Sequence, residues 1–153
     1  MDVYIMRHGE ASFKADSDIN RALTERGRAE VLRSVKDLSS LSKPIEAIYS
    51  SPYLRAKQTA EIAQTELSVP VTIQPRLTPD YNPEKVTDWL YQLSESVSSV
   101  LITAHMPLVG KLVSLMVDGD LRSPVSFSTG MVAHLYADQP FDGCFTLKQR
   151  FPL

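Results

Sequence analysis

The sequence has little of what secreted, membrane-spanning or nucleic-acid-binding proteins need. Its 153 residues include a single cysteine, Cys144, so the chain cannot form an internal disulfide, as suits a reducing cytoplasm. The first apolar stretch is short and stops at Arg7, which predicts neither a signal peptide nor a membrane span. The 16 basic and 18 acidic residues leave a net charge of −2, with no overall attraction for nucleic acid or an anionic membrane. We therefore expect a cytoplasmic protein that holds any anion through a local cluster of positive side chains.

The pattern that is present alternates short β-like runs with longer helical ones. The 6 glycines and 10 prolines are scattered without a period, which excludes a collagen-like or low-complexity chain. Strands are predicted at 3–6, 45–49, 69–73 and 99–104, with two more between 125 and 151, and helices at 25–43, 52–67, 83–93 and 106–117. This alternation predicts one α/β domain spanning residues 1–153. Its mostly parallel sheet is flanked by helices on both faces and gains antiparallel strands toward the C-terminus.

Two predicted helices carry capping signals at their starts. Thr24 is expected to cap the first helix, and Pro44 is expected to end it. In the second helix, Ser51 is the predicted N-cap and Pro52 the first helical residue. The apolar face of the first helix is predicted from residues at three-residue steps: Ala29, Leu32, Val35, Leu38 and Leu41.

Arginine and histidine side chains lie at three junctions between a predicted strand and the helix that follows it. Arg7 and His8 end the first strand, Arg55 lies in the first turn of the second helix, and His105 ends the strand 99–104. In an open α/β sheet the carboxyl ends of parallel strands form the ligand crevice, so these side chains should converge. Arginine forks match the oxygens of a phosphoryl group, and helix N-termini add backbone donors. The residues by themselves predict an anion site suited to phosphate.

Four segments resemble motifs of the histidine phosphatase superfamily, in the order and spacing of that family. They are Arg7–Glu10, Leu23–Gly27, Ser50–Ala60 and Thr103–Gly110. The last is similar to the version found in the small SixA-type phosphohistidine phosphatases. An isolated Arg-His-Gly arises often by chance, whereas the four segments together are specific.

The resemblance implies that His8 is a nucleophile that becomes transiently phosphorylated. Arg7, Arg55 and His105 would then hold the three non-bridging oxygens. The chemistry agrees, because an attacking imidazole must be unprotonated at the reacting nitrogen and the two arginines should disfavour its protonation. The other ring nitrogen needs a fixed partner such as a backbone carbonyl, which Gly9 would allow to approach closely.

Two further residues are candidates for the same site. Asp80 lies about where many family members carry a carboxylate that protonates an alkoxide leaving group. A phosphohistidine substrate needs such help less, because its imidazole leaving group is far less basic. Arg21 either guides phosphate at the mouth of the groove or is a solvated surface residue.

The resemblance implies a metal-independent phosphohistidine phosphatase that needs no cofactor. Its partner would be a phosphorylated protein, for example a histidine phosphotransfer domain, and no nucleic acid or membrane. His105 follows Arg55 by only 50 positions. That leaves no room for the lid of larger family members, so the groove suits a side chain projecting from a protein. The alternatives are a small-molecule phosphomonoesterase or mutase of the same superfamily and a non-catalytic phosphate-binding module.

The remaining ring and thiol side chains are expected to be structural. A metal site built from His8, His105 and His134 is disfavoured, because adjacent arginines repel a cation and no carboxylate cluster accompanies them. His134 alternates with apolar neighbours on a predicted strand, which favours a packing role. Cys144 is expected to be a packed strand residue.

Overall fold

All six strands join one sheet in the computed structural model, which describes residues 1–153. The strands are β1 (Asp2–Arg7), β2 (Ala47–Ser50), β3 (Val71–Ile73), β4 (Ser99–Ala104), β5 (Val132–Tyr136) and β6 (Thr146–Phe151). The helices are α1 (Glu25–Ser39), α2 (Leu54–Leu67), α3 (Pro83–Leu93) and α4 (Leu108–Asp118), with short 3₁₀ helices at Asp18–Asn20 and Pro75–Leu77.

The sheet has the order β3-β2-β4-β1-β5-β6. Its first four strands pair in parallel, whereas β5 pairs antiparallel with both β1 and β6. The proline-bounded strand β3 lies at one edge, where a missing backbone donor is tolerated. The predicted α/β fold with antiparallel C-terminal strands is therefore confirmed.

The alternation of strand side chains builds a core on each face of the sheet. In β1, Val3 and Ile5 pack with α3 and α4, whereas Tyr4 and Met6 pack with α1 and α2. All four side chains are buried, as the two-residue period of a strand between two helical layers requires. The helices carry no segment long and apolar enough to cross a bilayer.

The prediction for the buried face of α1 is wrong in detail. Thr24 caps the helix as predicted, since its hydroxyl accepts from the Gly27 amide at 3.0 Å. Ala29 is exposed and α1 ends at Ser39, well before Pro44. A strict three-residue repeat drifts around a helix of 3.6 residues per turn and cannot keep to one face. The residues that α1 buries follow mixed steps of three and four: Gly27, Val31, Ser34, Val35 and Leu38.

Two other local predictions are corrected. Helix α2 begins at Leu54 with Tyr53 as its N-cap, and the Ser51 hydroxyl contacts the ring of His105 just past the end of β4. Cys144 is exposed in the turn between β5 and β6, beside Gly143 with its positive φ of 77°, and is not packed in a strand. The turn lengthens the connection, so β6 starts only at Thr146.

His134 has the structural surroundings predicted for it. Its ring stacks on Tyr4 with centroids 4.3 Å apart, and Nε2 lies 2.8 Å from a carboxylate oxygen of Asp2. The same carboxylate contacts Lys43 Nζ at 2.6 Å. These contacts join the antiparallel pair β1 and β5 at the end of the sheet where β1 begins.

Candidate active site

Parallel strand pairing brings the predicted residues to one edge of the sheet. β1 pairs with β4 in the register Arg7 to Ala104, so His8 and His105 emerge side by side just past the strand ends. Their ring centroids are 5.1 Å apart. β2 pairs with the other side of β4, and α2 therefore starts at the same edge. This is the crevice that parallel sheets offer to ligands.

These strand ends form the base of a pocket of about 480 Å³. All of the residues predicted for the site line it: Arg7, His8, Arg21, Arg55, Asp80 and His105. The chain between α2 and His105 forms only β3, a short 3₁₀ helix, α3 and β4, without an inserted lid element.

His8 has one ring nitrogen fixed and the other available. Its Nδ1 lies 2.7 Å from the carbonyl oxygen of Gly9. Because a carbonyl only accepts, Nδ1 carries the proton and Nε2 keeps its lone pair. The Nε–H group of Arg55 donates to that lone pair at 3.2 Å. The carbonyl partner expected for His8 is thus supplied by the next residue in the chain.

Both site histidines are uncharged at neutral pH. Burial lowers the pKa of His8 to about 4, and the positive charges of Arg55 and Arg7 act in the same direction against the Gly9 carbonyl. Burial also lowers the pKa of His105 to about 3, with further contributions from His8 and Arg55. Two neutral imidazoles therefore lie between two guanidinium groups, which stay protonated throughout the physiological range.

Arg55 is held on all three of its guanidinium nitrogens, and its side chain is buried. Besides the bond to His8, Nη1 donates to the backbone carbonyl of Asp18 at 2.7 Å, and Nη2 lies 3.3 Å from the Asp18 carboxylate. The two Nη groups carry four hydrogens, so two of these donors remain for a ligand. Asp18 thereby fixes the plane of the arginine fork beside His8.

Thr59 and two glycines fix the backbone around the nucleophile. The Thr59 hydroxyl donates to the Arg55 carbonyl at 2.8 Å and accepts from the Gly9 amide at 3.2 Å. It therefore ties α2 to the loop that follows β1. That loop lies so close to α1 that a Cβ on Gly9 would be 2.4 Å from the Gly27 carbonyl oxygen, and a Cβ on Gly27 would be 2.0 Å from that of Glu10. Only glycine fits at both places.

His105 is oriented by Ser51, whose hydroxyl oxygen lies 2.7 Å from Nε2. The same oxygen accepts from the Tyr53 amide at 3.2 Å, so its own proton is free to be donated to the ring. We assign Nε2 as the acceptor of this proton, which places the ring proton on Nδ1. Nδ1 is buried and has no partner within the protein, although His105 lines the pocket. An unused buried donor of this kind fits an incoming anionic oxygen.

Arg7 is anchored at one end of its guanidinium. Nη1 donates to the Phe127 carbonyl at 2.7 Å, whereas the buried Nε has no partner. Burial is the main cause that lowers the pKa of Arg7, although the group remains a cation at neutral pH. The Gly130 amide bonds the carbonyls of Arg7 and His8 at 3.1 and 3.0 Å, which secures the strand end.

Arg21 lies at the mouth of the pocket and is already engaged. It donates to the carbonyls of Ser12 and Ala11 at 2.9 and 3.2 Å and pairs with Asp18 at 3.2 Å. Its guanidinium carbon lies 4.2 Å from the centroid of the Phe13 ring, on the same rim. Arg21 is therefore part of the wall of the site and not a freely solvated side chain.

The three carboxylates of the pocket differ in their surroundings. Glu10 accepts from the Thr24 hydroxyl at 3.0 Å and pairs with Arg26 at 3.6 Å. Asp80 is exposed at the rim, with no hydrogen-bonding partner within the protein. Burial alone would raise the pKa of Asp18, but hydrogen bonds and charge from Arg21 and Arg55 outweigh it and lower that pKa. Asp18 is therefore ionised at neutral pH.

The sequence does not reveal the roles of Ser51, Asp18 and Thr59. The context of Ser51 predicts a helix cap, and Asp18 lies in an irregular polar segment with no periodic signal. Thr59 falls within the Ser50–Ala60 motif. The resemblance therefore points to this segment, but it does not predict the hydrogen bonds that Thr59 makes. No group of three His, Cys, Asp or Glu side chains is arranged to hold a metal ion.

The fold and this arrangement agree with comparisons to known proteins. Residues 3–79 match the histidine phosphatase superfamily (branch 1), a segment that includes Arg7, His8 and Arg55. Phosphohistidine phosphatase SixA of Escherichia coli strain K12 is 38% identical over 148 residues, which cover 95% of this chain and 91% of that protein. The chain therefore belongs to the histidine phosphatase superfamily and is an enzyme of the hydrolase class.

Two further similarities place it near the SixA-type members. The phosphohistidine phosphatase SixA homolog of Haemophilus influenzae is 36% identical and is matched over 90% of this chain and 89% of its own length. The solved structure of the protein histidine phosphatase SixA complexed with tungstate superposes with a TM-score of 0.89 at 37% identity. That match covers 98% of this chain and 96% of that chain.

Proposed function

We propose that this enzyme removes the phosphoryl group from phosphohistidine side chains of proteins, with His8 as the nucleophile. The observation that supports this most directly is the state of His8. Its imidazole is neutral, Nδ1 is fixed on the Gly9 carbonyl, and the Nε2 lone pair lies among arginines in a pocket. A SixA relative whose structure contains tungstate, a tetrahedral oxyanion, supports an oxyanion ligand here as well.

In the first step, Nε2 of His8 attacks the phosphorus atom and forms a P–N bond. The P–N bond to the substrate imidazole breaks, and that nitrogen keeps the electron pair and takes a proton from water. Arg7 and Arg55 supply guanidinium donors for the non-bridging oxygens, and His105 supplies its unused Nδ1–H. Because phosphoryl transfer depends mostly on positioning and charge neutralisation, these donors provide the main catalytic contribution.

In the second step, water attacks the phosphorus atom of phospho-His8. The P–N bond to Nε2 breaks, the water loses a proton to solvent, and inorganic phosphate leaves with His8 neutral again. The Gly9 carbonyl holds the Nδ1 proton through both steps, so the same tautomer is regenerated.

The acids available in the pocket favour a substrate with a good leaving group. Asp18 is ionised by its arginine partners and has no proton to give. The Glu10 carboxylate is engaged by the Thr24 hydroxyl and by Arg26. Asp80 is exposed at the rim without a partner that would orient it. An imidazole leaving group requires far less protonation than an alkoxide, so phosphohistidine suits this site better than an alkyl phosphate.

The partner that fits this chemistry is a phosphorylated protein such as a histidine phosphotransfer domain. A phosphohistidine on such a protein projects as a single side chain, which can enter a pocket that has no inserted lid element. We accordingly place the enzyme in cytoplasmic signal transduction, where a reducing environment suits its single cysteine.

The test is a parallel assay on a phosphohistidine protein, a phosphoserine peptide and a panel of phosphosugars. We expect the highest kcat/KM on the phosphohistidine protein, and rapid quenching at alkaline pH should recover phosphate bound to His8. The variant H8A should carry no label and no activity. A phosphosugar turned over faster than the phosphohistidine protein would favour the small-molecule alternative, and label persisting in H8A would refute the nucleophile.

A further inference from the structure

A second cavity adjoins the catalytic pocket. It has a volume of about 340 Å³ and lies between α1, β6 and the loop that precedes β5. Thr129 lines both this cavity and the catalytic pocket, so a single residue of the loop separates them. The second cavity therefore lies within reach of a macromolecule whose phosphorylated side chain occupies the first.

The second cavity carries positive charge that the protein leaves uncompensated. Arg33 on α1 and Arg150 on β6 are exposed on its walls, and neither forms an ion pair. Glu30, the one acidic residue of the lining, is engaged by the Glu10 amide at 3.0 Å and by Arg26 at 3.5 Å. Among the other exposed arginines, Arg122 pairs with Asp120 at 2.6 Å, whereas Arg28 forms no ion pair but lies outside this cavity. The pair is therefore available to an anionic group from outside.

The wall between the two cavities is tied to the catalytic residues. Phe127 accepts from Arg7, and the Gly130 amide donates to the carbonyls of Arg7 and His8. On its other side, the Gly130 carbonyl accepts from the Ser34 hydroxyl at 2.6 Å, and Ser34 lines the second cavity. These hydrogen bonds fix α1, which carries Arg33, relative to His8, and the pairing of β6 with β5 fixes Arg150 through the sheet. A two-point recognition site requires such a fixed spacing.

We propose that the cavity between Arg33 and Arg150 binds an acidic side chain of the phosphoprotein, close in its sequence or fold to the phosphohistidine. This rests on the proposed function and adds a determinant of substrate choice to it. Guanidinium groups pair with carboxylates through parallel N–H···O bonds, and charges at the edge of an interface contribute selectivity and association rate. The catalytic pocket recognises the phosphoryl group, and this cavity recognises the protein that carries it.

The test uses two synthetic phosphohistidine peptides that differ only in their flanking residues, glutamate in one and glutamine in the other. At low ionic strength the wild-type enzyme should prefer the glutamate peptide by about fivefold in kcat/KM, since partly exposed charge pairs are individually weak. The double variant R33Q/R150Q should abolish the preference, and R33E/R150E should reverse it. Both should keep kcat on the glutamine peptide, because neither arginine touches the catalytic pocket.

The matched control is R28E, which reverses an exposed charge on the same helix outside this cavity. It should retain the fivefold preference. Equal rates of the wild type on the two peptides would overturn the subsite while leaving the phosphohistidine activity intact. The subsite would also be overturned if R28E lost the preference for the glutamate peptide as fully as R33Q/R150Q does. That result would indicate general electrostatic steering. If neither peptide is a substrate while a phosphomonoester is, the proposed function fails and the subsite fails with it.

Discussion

The contact between Ser51 and His105 gives the sharpest test of the site. In S51A the ring of His105 loses its hydrogen bond at Nε2, while the backbone of β2 and the start of α2 keep their other contacts. When no serine hydroxyl donates to Nε2, the ring of His105 can carry its own proton on Nε2 in place of Nδ1. The donor that we assign to a phosphoryl oxygen would then be replaced by a lone pair that repels it.

The size of the effect follows from burial. Ser51 and His105 are both buried, so a ring nitrogen left without its partner costs about 1–3 kcal/mol. At about 1.4 kcal/mol for each factor of ten, we expect kcat/KM to fall by about 5- to 150-fold. The fall should appear in kcat more than in KM, because the donor matters most as charge moves onto the phosphoryl oxygens.

Ring ¹⁵N chemical shifts of His105, measured beside the kinetics, separate this effect from simple destabilisation. The wild type should show a protonated Nδ1, and S51A a mixture of tautomers. The control is S114A, which also removes a fully buried serine hydroxyl with two hydrogen bonds, to the Asp120 carbonyl and from the Ser123 amide. The reasoning is refuted if wild-type His105 carries its proton on Nε2, or if S51A and S114A lose activity equally.

Three other predictions concern pH, the leaving group and metals. Burial lowers the pKa of His8 from 6.5 to about 4. Between pH 6.5 and pH 4 the unfolded chain therefore binds a proton at His8 that the folded protein does not. The free energy of unfolding should consequently fall as the pH drops from 6.5 to 4. Urea denaturation at several pH values measures this, and H8N should show a shallower decline; equal slopes would contradict the shift. D80A should cost less than about tenfold on phosphohistidine but about 10²–10⁴-fold on any alkyl phosphate that the enzyme hydrolyses. A severe loss on phosphohistidine would instead make Asp80 a required acid. Turnover should survive EDTA, because arginines neutralise the phosphoryl charge, and activity restored by a divalent cation would overturn this.

Much of the fold, and the location of Arg7, His8, Arg55 and His105, could be predicted from sequence because the signals are local. The apolar run 99–104 became β4 with the predicted bounds, Thr24 caps α1, and Pro83 opens α3. Arg7 and His8 follow a short buried run, which suffices to place them at a strand end. Parallel strands align their carboxyl ends, so residues far apart in the chain could be assigned to one pocket.

The partners of these residues were decided by tertiary structure. Ser51 has the sequence context of a helix cap, yet its hydroxyl bonds His105 because β2 pairs with β4. Asp18 reaches Arg55 from a segment without periodicity, and Arg33 and Arg150 face one cavity only because α1 and β6 meet there. A local pattern records which residues can form a helix or a strand. Which hydrogen bonds are made, and which charges stay unpaired, depends on elements brought together from distant parts of the chain.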